Sequence, residues 1–214
     1  MNYNAILTEY IDKCPYDEPI FIEDIRKYFE TIVGDKIDQV IKTIYVYVNR
    51  LVKKHILVQY LKGIYYKPTI DIFGEKEIDK ETIINKKYME DNNGCKGFTY
   101  GATLFNQLGL TTQVPRYYYI VTNECPNNNK YNNHSLGVII KKPKIEINSN
   151  NYKYLQLLDL LNNKEKIYIE VDVNKEKEII YKFIKDNGLE MEEIFRYAKE
   201  IKDKKAINKL FELE

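Results

Sequence analysis

Apolar positions fall in a sequence of stripes along the first third of the chain. Ile6, Leu7, Tyr10 and Ile11 share one side of a predicted helix over residues 4–12. Pro15 and Pro19 break the chain after it, because neither can continue a helix interior. Ile20-Phe21-Ile22 is short and apolar and predicts a small strand. Ile25, Tyr28, Phe29 and Ile32 form the stripe of a second helix, residues 23–32. Its acidic start, Glu23-Asp24, suits the positive end of the helix dipole. Gly34 ends it. A longer helix follows over residues 35–54, with Ile37, Val40, Ile41, Ile44, Val48 and Leu51 as its buried face and His55 at its end. Two β-prone runs, residues 56–61 and 64–67, flank Lys62-Gly63 and predict a hairpin. The order helix, strand, helix, helix, hairpin is that of a winged helix-turn-helix, assigned to residues 1–70.

The pattern then weakens. Residues 71–93 are polar and charged and read as a linker with one short helix at 80–89. From residue 94 the chain turns rich in Gly, Thr and aromatics, and residues 116–122 predict a strand. Residues 124–133 are Asn-rich and read as a loop, and residues 135–147 carry strand-like runs around Lys141-Lys142-Pro143. Residues 152–161 and three segments between 174 and 213 read as helices, with a strand expected at 167–171. The fold class expected is α+β, a winged helix-turn-helix followed by a mixed α/β C-terminal domain at residues 94–214.

Composition narrows the functional classes. The chain has 214 residues, 44% hydrophobic and 30% charged, enough for a packed core and a solvated surface. No run of about 18 apolar residues suggests a membrane span, and the N-terminus lacks the basic and apolar regions of a signal peptide. A cytoplasmic protein without membrane contact is expected. Three cysteines, Cys14, Cys95 and Cys125, are odd in number and far apart, which argues for reduced thiols. The net charge of +1 counts against bulk coating of nucleic acid but leaves room for a specific reader, because only the docking face must be positive.

Such a face is present in the pattern. At about 100° per residue, the side of the long helix opposite Ile44 holds Gln39, Lys42, Val46, Asn49, Arg50 and Lys53, flanked by Thr43 and Tyr45. Asn and Gln can pair with adenine and Arg with guanine in the major groove. Lys, Thr and Tyr can hold phosphates. Lys62 at the hairpin turn, with Lys67 beyond it, extends the basic character. Polar residues opposite an apolar stripe also occur on ordinary amphipathic helices, and winged folds also serve protein contacts alone. The expected partner is double-stranded DNA, read at inverted repeats, with self-association on the DNA.

Enzymatic chemistry is not expected. Two histidines, His55 and His134, leave little for acid–base work, and no nucleophile assembles with a base. The glycine-rich run at 94–101 lacks the ending of a P-loop and the spacing of a dinucleotide fingerprint. Cys95, Cys125 and His134 lack zinc-motif spacing, so no metal and no cofactor are expected.

One segment carries a resemblance. Residues 97–115 hold a glycine-led helix and then Leu108-Gly109-Leu110-Thr111-Thr112-Gln113-Val114-Pro115, followed by a strand ending in Thr122-Asn123. This resembles the signature of the AbiEi-like antitoxins, the regulator half of type IV toxin–antitoxin systems, and the basic run Lys141-Lys142-Pro143 is similar to a later strand of that family. The likeness spans most of residues 1–150 and is only slight after Tyr152. It implies a repressor of its own operon, active in phage defence, that counters a nucleotidyltransferase-like toxin without needing to touch it. Thr111, Thr112, Gln113 and Arg116 are the candidate antitoxin surface, against the alternative of a structural corner between helix and strand. A ligand-sensing winged-helix regulator unrelated to any toxin is the competing expectation.

Overall fold

The computed structural model describes residues 1–126 and 130–211. The chain divides into two compact units, Met1–Ile84 and Asn85–Glu214. Together they make a mixed, α+β protein.

In the first unit, Asn2 caps helix α1 (Tyr3–Lys13) by accepting the Ala5 N–H at 3.2 Å. Strand β1 (Ile20–Phe21) leads into α2 (Ile22–Val33), which Gly34 ends at φ 55°. A single 3-10 turn, Gly34–Lys36, separates it from α3 (Ile37–Lys53). Strands β2 (Val58–Leu61) and β3 (Ile64–Tyr66) form the hairpin. The sheet order is β1-β3-β2, antiparallel throughout, with Ile20 opposite Tyr65 and Val58 opposite Tyr66. Gly63 turns the hairpin at φ 83°, and its carbonyl accepts the Ile22 N–H at 2.9 Å. Leu7, Ile11, Ile25, Phe29, Ile44 and Val48 close one core between the three helices and the sheet. Each such side chain contributes about 1.5–3 kcal/mol on burial.

The stretch 71–93, expected as a linker, carries local structure. Strands β4 (Ile70–Asp71) and β5 (Gly74–Glu75) pair as a small hairpin. Helix α4 (Lys80–Ile84) follows, with Ile78, Ile83 and Ile84 buried. A π-helical turn, Asn85–Met89, opens the second unit.

That unit holds a two-stranded ribbon, β6 (Glu90–Asp91) with β7 (Gly94–Cys95). Strand β8 (Gly97–Thr99), helix α5 (Gly101–Gln107) and strands β9 (Tyr118–Thr122), β10 (Tyr131–Asn133) and β11 (Val138–Lys141) come next. The sheet order is β10-β11-β9-β8, with β11 and β9 parallel and the other pairs antiparallel. The helices α6 (Tyr152–Asn163), α7 (Val173–Asp186), α8 (Met191–Glu200) and α9 (Lys204–Phe211) complete it. They build the main core with α5 around Phe105, Leu157, Leu161, Ile194 and Ala206.

Residues 167–171 are not a strand. Ile167, Ile169 and Val171 do pack on the helical core, so the alternation records one-sided burial. The Glu170 N–H donates to the Leu110 carbonyl at 2.9 Å, a loop contact rather than a ladder. Among the described residues no helix is long and apolar enough to cross a membrane.

Candidate nucleic-acid interface

Helix α3 presents two faces because its apolar residues repeat at helical spacing. Ile37, Val40, Ile41, Ile44, Val48 and Leu51 are buried, which forces the remaining positions outward. Gln39, Lys42, Tyr45, Asn49, Arg50 and Lys53 are exposed and Thr43 is half-buried. Val46 is exposed among them. None of Lys42, Arg50, Lys53, Lys54 or Lys62 makes an ion pair among the described residues. The Arg50 guanidinium lies 5.3 Å from the centroid of Tyr47. The acid nearest the helix start, Asp38, is already bridged to Arg26 at 2.8 Å. The C-terminal half of this face is therefore an uncompensated cationic and amide surface. Its cations also stand at the negative end of the helix dipole.

The hairpin contributes less than its sequence promised. Lys62 is exposed at the turn. Lys67 is buried: its ammonium donates to the Asp12 carbonyl at 3.1 Å and lies 4.5 Å from the centroid of Tyr16. It holds α1 to the sheet instead of extending the basic surface. Beyond it, His55 adopts φ 57° just past α3 and contacts Glu75 of β5 at 3.2 Å.

The second candidate surface divides. Thr111 is buried, so it is no part of an exposed patch. Its hydroxyl donates to Glu170 Oε1 at 3.1 Å and accepts the Gln113 N–H at 3.2 Å. Thr112 donates to Glu170 Oε2 through its N–H at 2.9 Å and its hydroxyl at 2.7 Å. Gly109, at φ 72°, closes α5: the Leu110 N–H reaches back to the Phe105 carbonyl at 2.9 Å. The two threonines thus clamp a corner onto Glu170. The bonds from Thr112 hold the Glu170 carboxyl below its ordinary pKa, its hydroxyl first. Gln113 and Arg116 remain exposed, with the Arg116 guanidinium 5.5 Å from the centroid of Tyr117. Sequence alone gave no sign of Glu170, whose partners lie nearly sixty positions earlier.

The basic run near β11 is largely spoken for. Lys141 bridges Asp159 at 2.5 Å and lies 3.9 Å from the centroid of Tyr100, and Lys144 bridges Asp203 at 3.4 Å. The Tyr100 hydroxyl is buried without a hydrogen-bond partner among the described residues, and burial, followed by the charge of Asp159, pushes its pKa well up. Among the described residues no three His, Cys, Asp or Glu side chains gather as metal ligands.

One family's sequence pattern, described as a family of unknown function (DUF6088), matches residues 22–187. No curated protein matches the chain. The matched region takes in α2 and α3, the whole four-stranded sheet, and the helices as far as α7.

Proposed function

We propose that this chain, which belongs to the DUF6088 family, is a DNA-binding transcriptional repressor whose first unit is a winged helix-turn-helix with α3 as its recognition helix. The observation that carries this reading is the outward face of α3. Asn49, Arg50 and Lys53 stand exposed together, with no acid among the described residues paired to either cation. A solvated helix face commonly mixes charges of both signs, and this half of α3 does not. The succession of helix, strand, helix, helix and hairpin, closed by the β1-β3-β2 sheet, supports it further. In this reading α3 enters the major groove, Asn49 and Arg50 meet base edges, and Gln39, Lys42, Thr43, Tyr45 and Lys53 meet bases or phosphates. Lys62 reaches the adjacent backbone from the hairpin turn.

The second part of the proposal is the setting. In this reading the repressor serves a type IV toxin–antitoxin operon and opposes a nucleotidyltransferase-like toxin, a setting supported by the resemblance of residues 97–115 to AbiEi-like antitoxins. Within that segment Gln113 and Arg116 are the exposed candidates. The test is gel-shift titration of the full chain on the DNA upstream of its own gene, at several salt concentrations. Tight, salt-dependent binding that exceeds binding to unrelated duplex supports the reading. Equal binding to both duplexes overturns it.

A further inference from the structure

We infer that the β4–β5 hairpin is a self-association element, whose apolar tip docks reciprocally on the outward face of α3 in a second copy of the chain. The tip carries Ile70, Ile72 and Phe73, exposed by 77, 92 and 92 %. Single apolar residues on a surface need no explanation, but three on one short hairpin form a patch. The hairpin is also held firmly at its base. The Asp17 carboxylate accepts the Thr69 N–H at 2.9 Å and the Thr69 hydroxyl at 2.7 Å. The Lys76 N–H donates to the Thr69 carbonyl at 2.9 Å, and Glu75 contacts His55. Within the turn, Asp71 accepts the Phe73 N–H at 2.7 Å. A tip fixed this way loses little freedom on docking.

Charge decides the occupant. Residues 70–79 contain Asp71, Glu75, Glu77 and Asp79 against one cation, Lys76, which is bridged to Asp17 at 3.3 Å. Phosphates repel such a tip, so DNA is not what covers it. Two tips meeting each other would set the same acids face to face. The opposite chemistry stands on α3. There Tyr45 and Val46 are exposed among Lys42, Arg50 and Lys53, none of them ion-paired among the described residues. Apolar tip meets apolar centre and acids meet bases. An exchange about a twofold axis seats two tips at once. One tip alone is small beside the roughly 1,200–2,000 Å² of a stable interface, so the association is weak and reversible. The covered face is the one assigned above to DNA. That docking and DNA binding exclude each other therefore rests on the DNA reading, whereas the self-association does not.

The experiment is sedimentation velocity of the full chain without DNA, over a concentration series and at low and high salt. The wild type self-associates, and added salt weakens it. Phe73→Asp and Val46→Asp, each alone, lower the association constant about tenfold or more while leaving the thermal unfolding midpoint unchanged. A wild type that is monomeric throughout overturns the inference, as does a dimer that survives both substitutions. Loss with Phe73→Asp but not Val46→Asp overturns the seat on α3, as does association that strengthens with salt. A duplex carrying the upstream DNA is added last. If it dissociates the dimer, mutual exclusion stands. If self-association passes every test but the protein ignores the duplex, the DNA reading alone has failed.

Discussion

Thr111 and Thr112 looked like short polar groups free to form a surface, and the structure spends them on Glu170 instead. Their arrangement makes a prediction with a definite sign. Glu170 titrates below its ordinary carboxylate value because Thr112 bonds its charged form. A depressed folded pKa means that the unfolded chain takes up the proton first as pH falls. The stabilisation is complete above the unfolded pKa and is lost as pH falls through the folded one. Thermal midpoints of wild type and Glu170→Gln should therefore differ most near neutral pH and converge in acid. Parallel curves would mean that the clamp does not act through the carboxylate charge. Thr111→Val removes a buried hydroxyl that both donates and accepts, and should cost about 1 kcal/mol in urea unfolding. Gly97 sets a harder limit. A Cβ there would stand 2.1 Å from the Tyr88 carbonyl oxygen and 2.8 Å from that of Val121. Both are backbone atoms, one in the π-helical turn and one in a paired strand, and cannot swing aside. Gly97→Ala should cost at least the upper end of the about 1–3 kcal/mol of overpacking, read as a lowered denaturation midpoint.

At the scale of elements, α3 carries the functional argument and the next prediction. Asn49→Ala and Arg50→Ala should each weaken specific binding by about 1–3 kcal/mol, if each makes a bidentate base contact. Lys53→Ala should weaken binding to every sequence alike and make the salt dependence shallower. Gel shifts at several salt concentrations separate the two behaviours, and unchanged binding in all three folded variants would remove α3 from the interface. These positions were legible in the sequence because a period of 3.6 fixes the outward face once the inward one is known, and α3 buries all six of its expected apolar positions. The same logic found α1, α2 and α6 to within a few residues, and the number and general place, not the separate bounds, of α7, α8 and α9. It failed where the partner, not the period, decides the state. Residues 167–171 alternate like a strand but meet helices, so no ladder forms. Lys67 looked like a surface cation because charge usually seeks water, yet the Asp12 carbonyl and the Tyr16 ring hold it inside. Ile72 and Phe73 lay in a polar run without periodicity, and only the pairing of β4 with β5 sets them at a tip. The acid that fixes the Thr111–Thr112 corner was invisible for a similar reason, since nothing local in a sequence announces a contact across 58 positions.

The molecule as a whole is two units with separate cores, one closed between α1, α2, α3 and the first sheet, the other between α5 and the last four helices. Each core is made of residues from its own unit, so each should fold when produced alone. The sequence suggested a cut near residue 70. The division of the chain into compact units falls after Ile84 instead, which sets the cut for a fragment at 84/85. A fragment of residues 1–84 should unfold cooperatively on heating and bind the upstream DNA, more weakly than the full chain, because a single small unit offers a limited interface. The helices after Tyr152, where the family resemblance is only slight, supply most of the second core, so a truncation at about residue 150 should unfold the second unit rather than trim it. The proposed division of labour then has a cellular test, in which the nucleotidyltransferase-like toxin that the antitoxin reading calls for is induced beside each fragment. Residues 85–214 should restore growth, since residues 97–115, which carry the antitoxin resemblance most specifically, lie in that unit, and residues 1–84 should repress the promoter without restoring growth. Arg116→Ala and Gln113→Ala in residues 85–214 should reduce rescue at an unchanged thermal midpoint, because both side chains are exposed. Thr111→Val is the control: any loss of rescue there should track its loss of stability. Growth restored by residues 1–84 alone would move the proposed antitoxic activity to the first unit and leave the Thr-Thr-Gln corner a purely structural one.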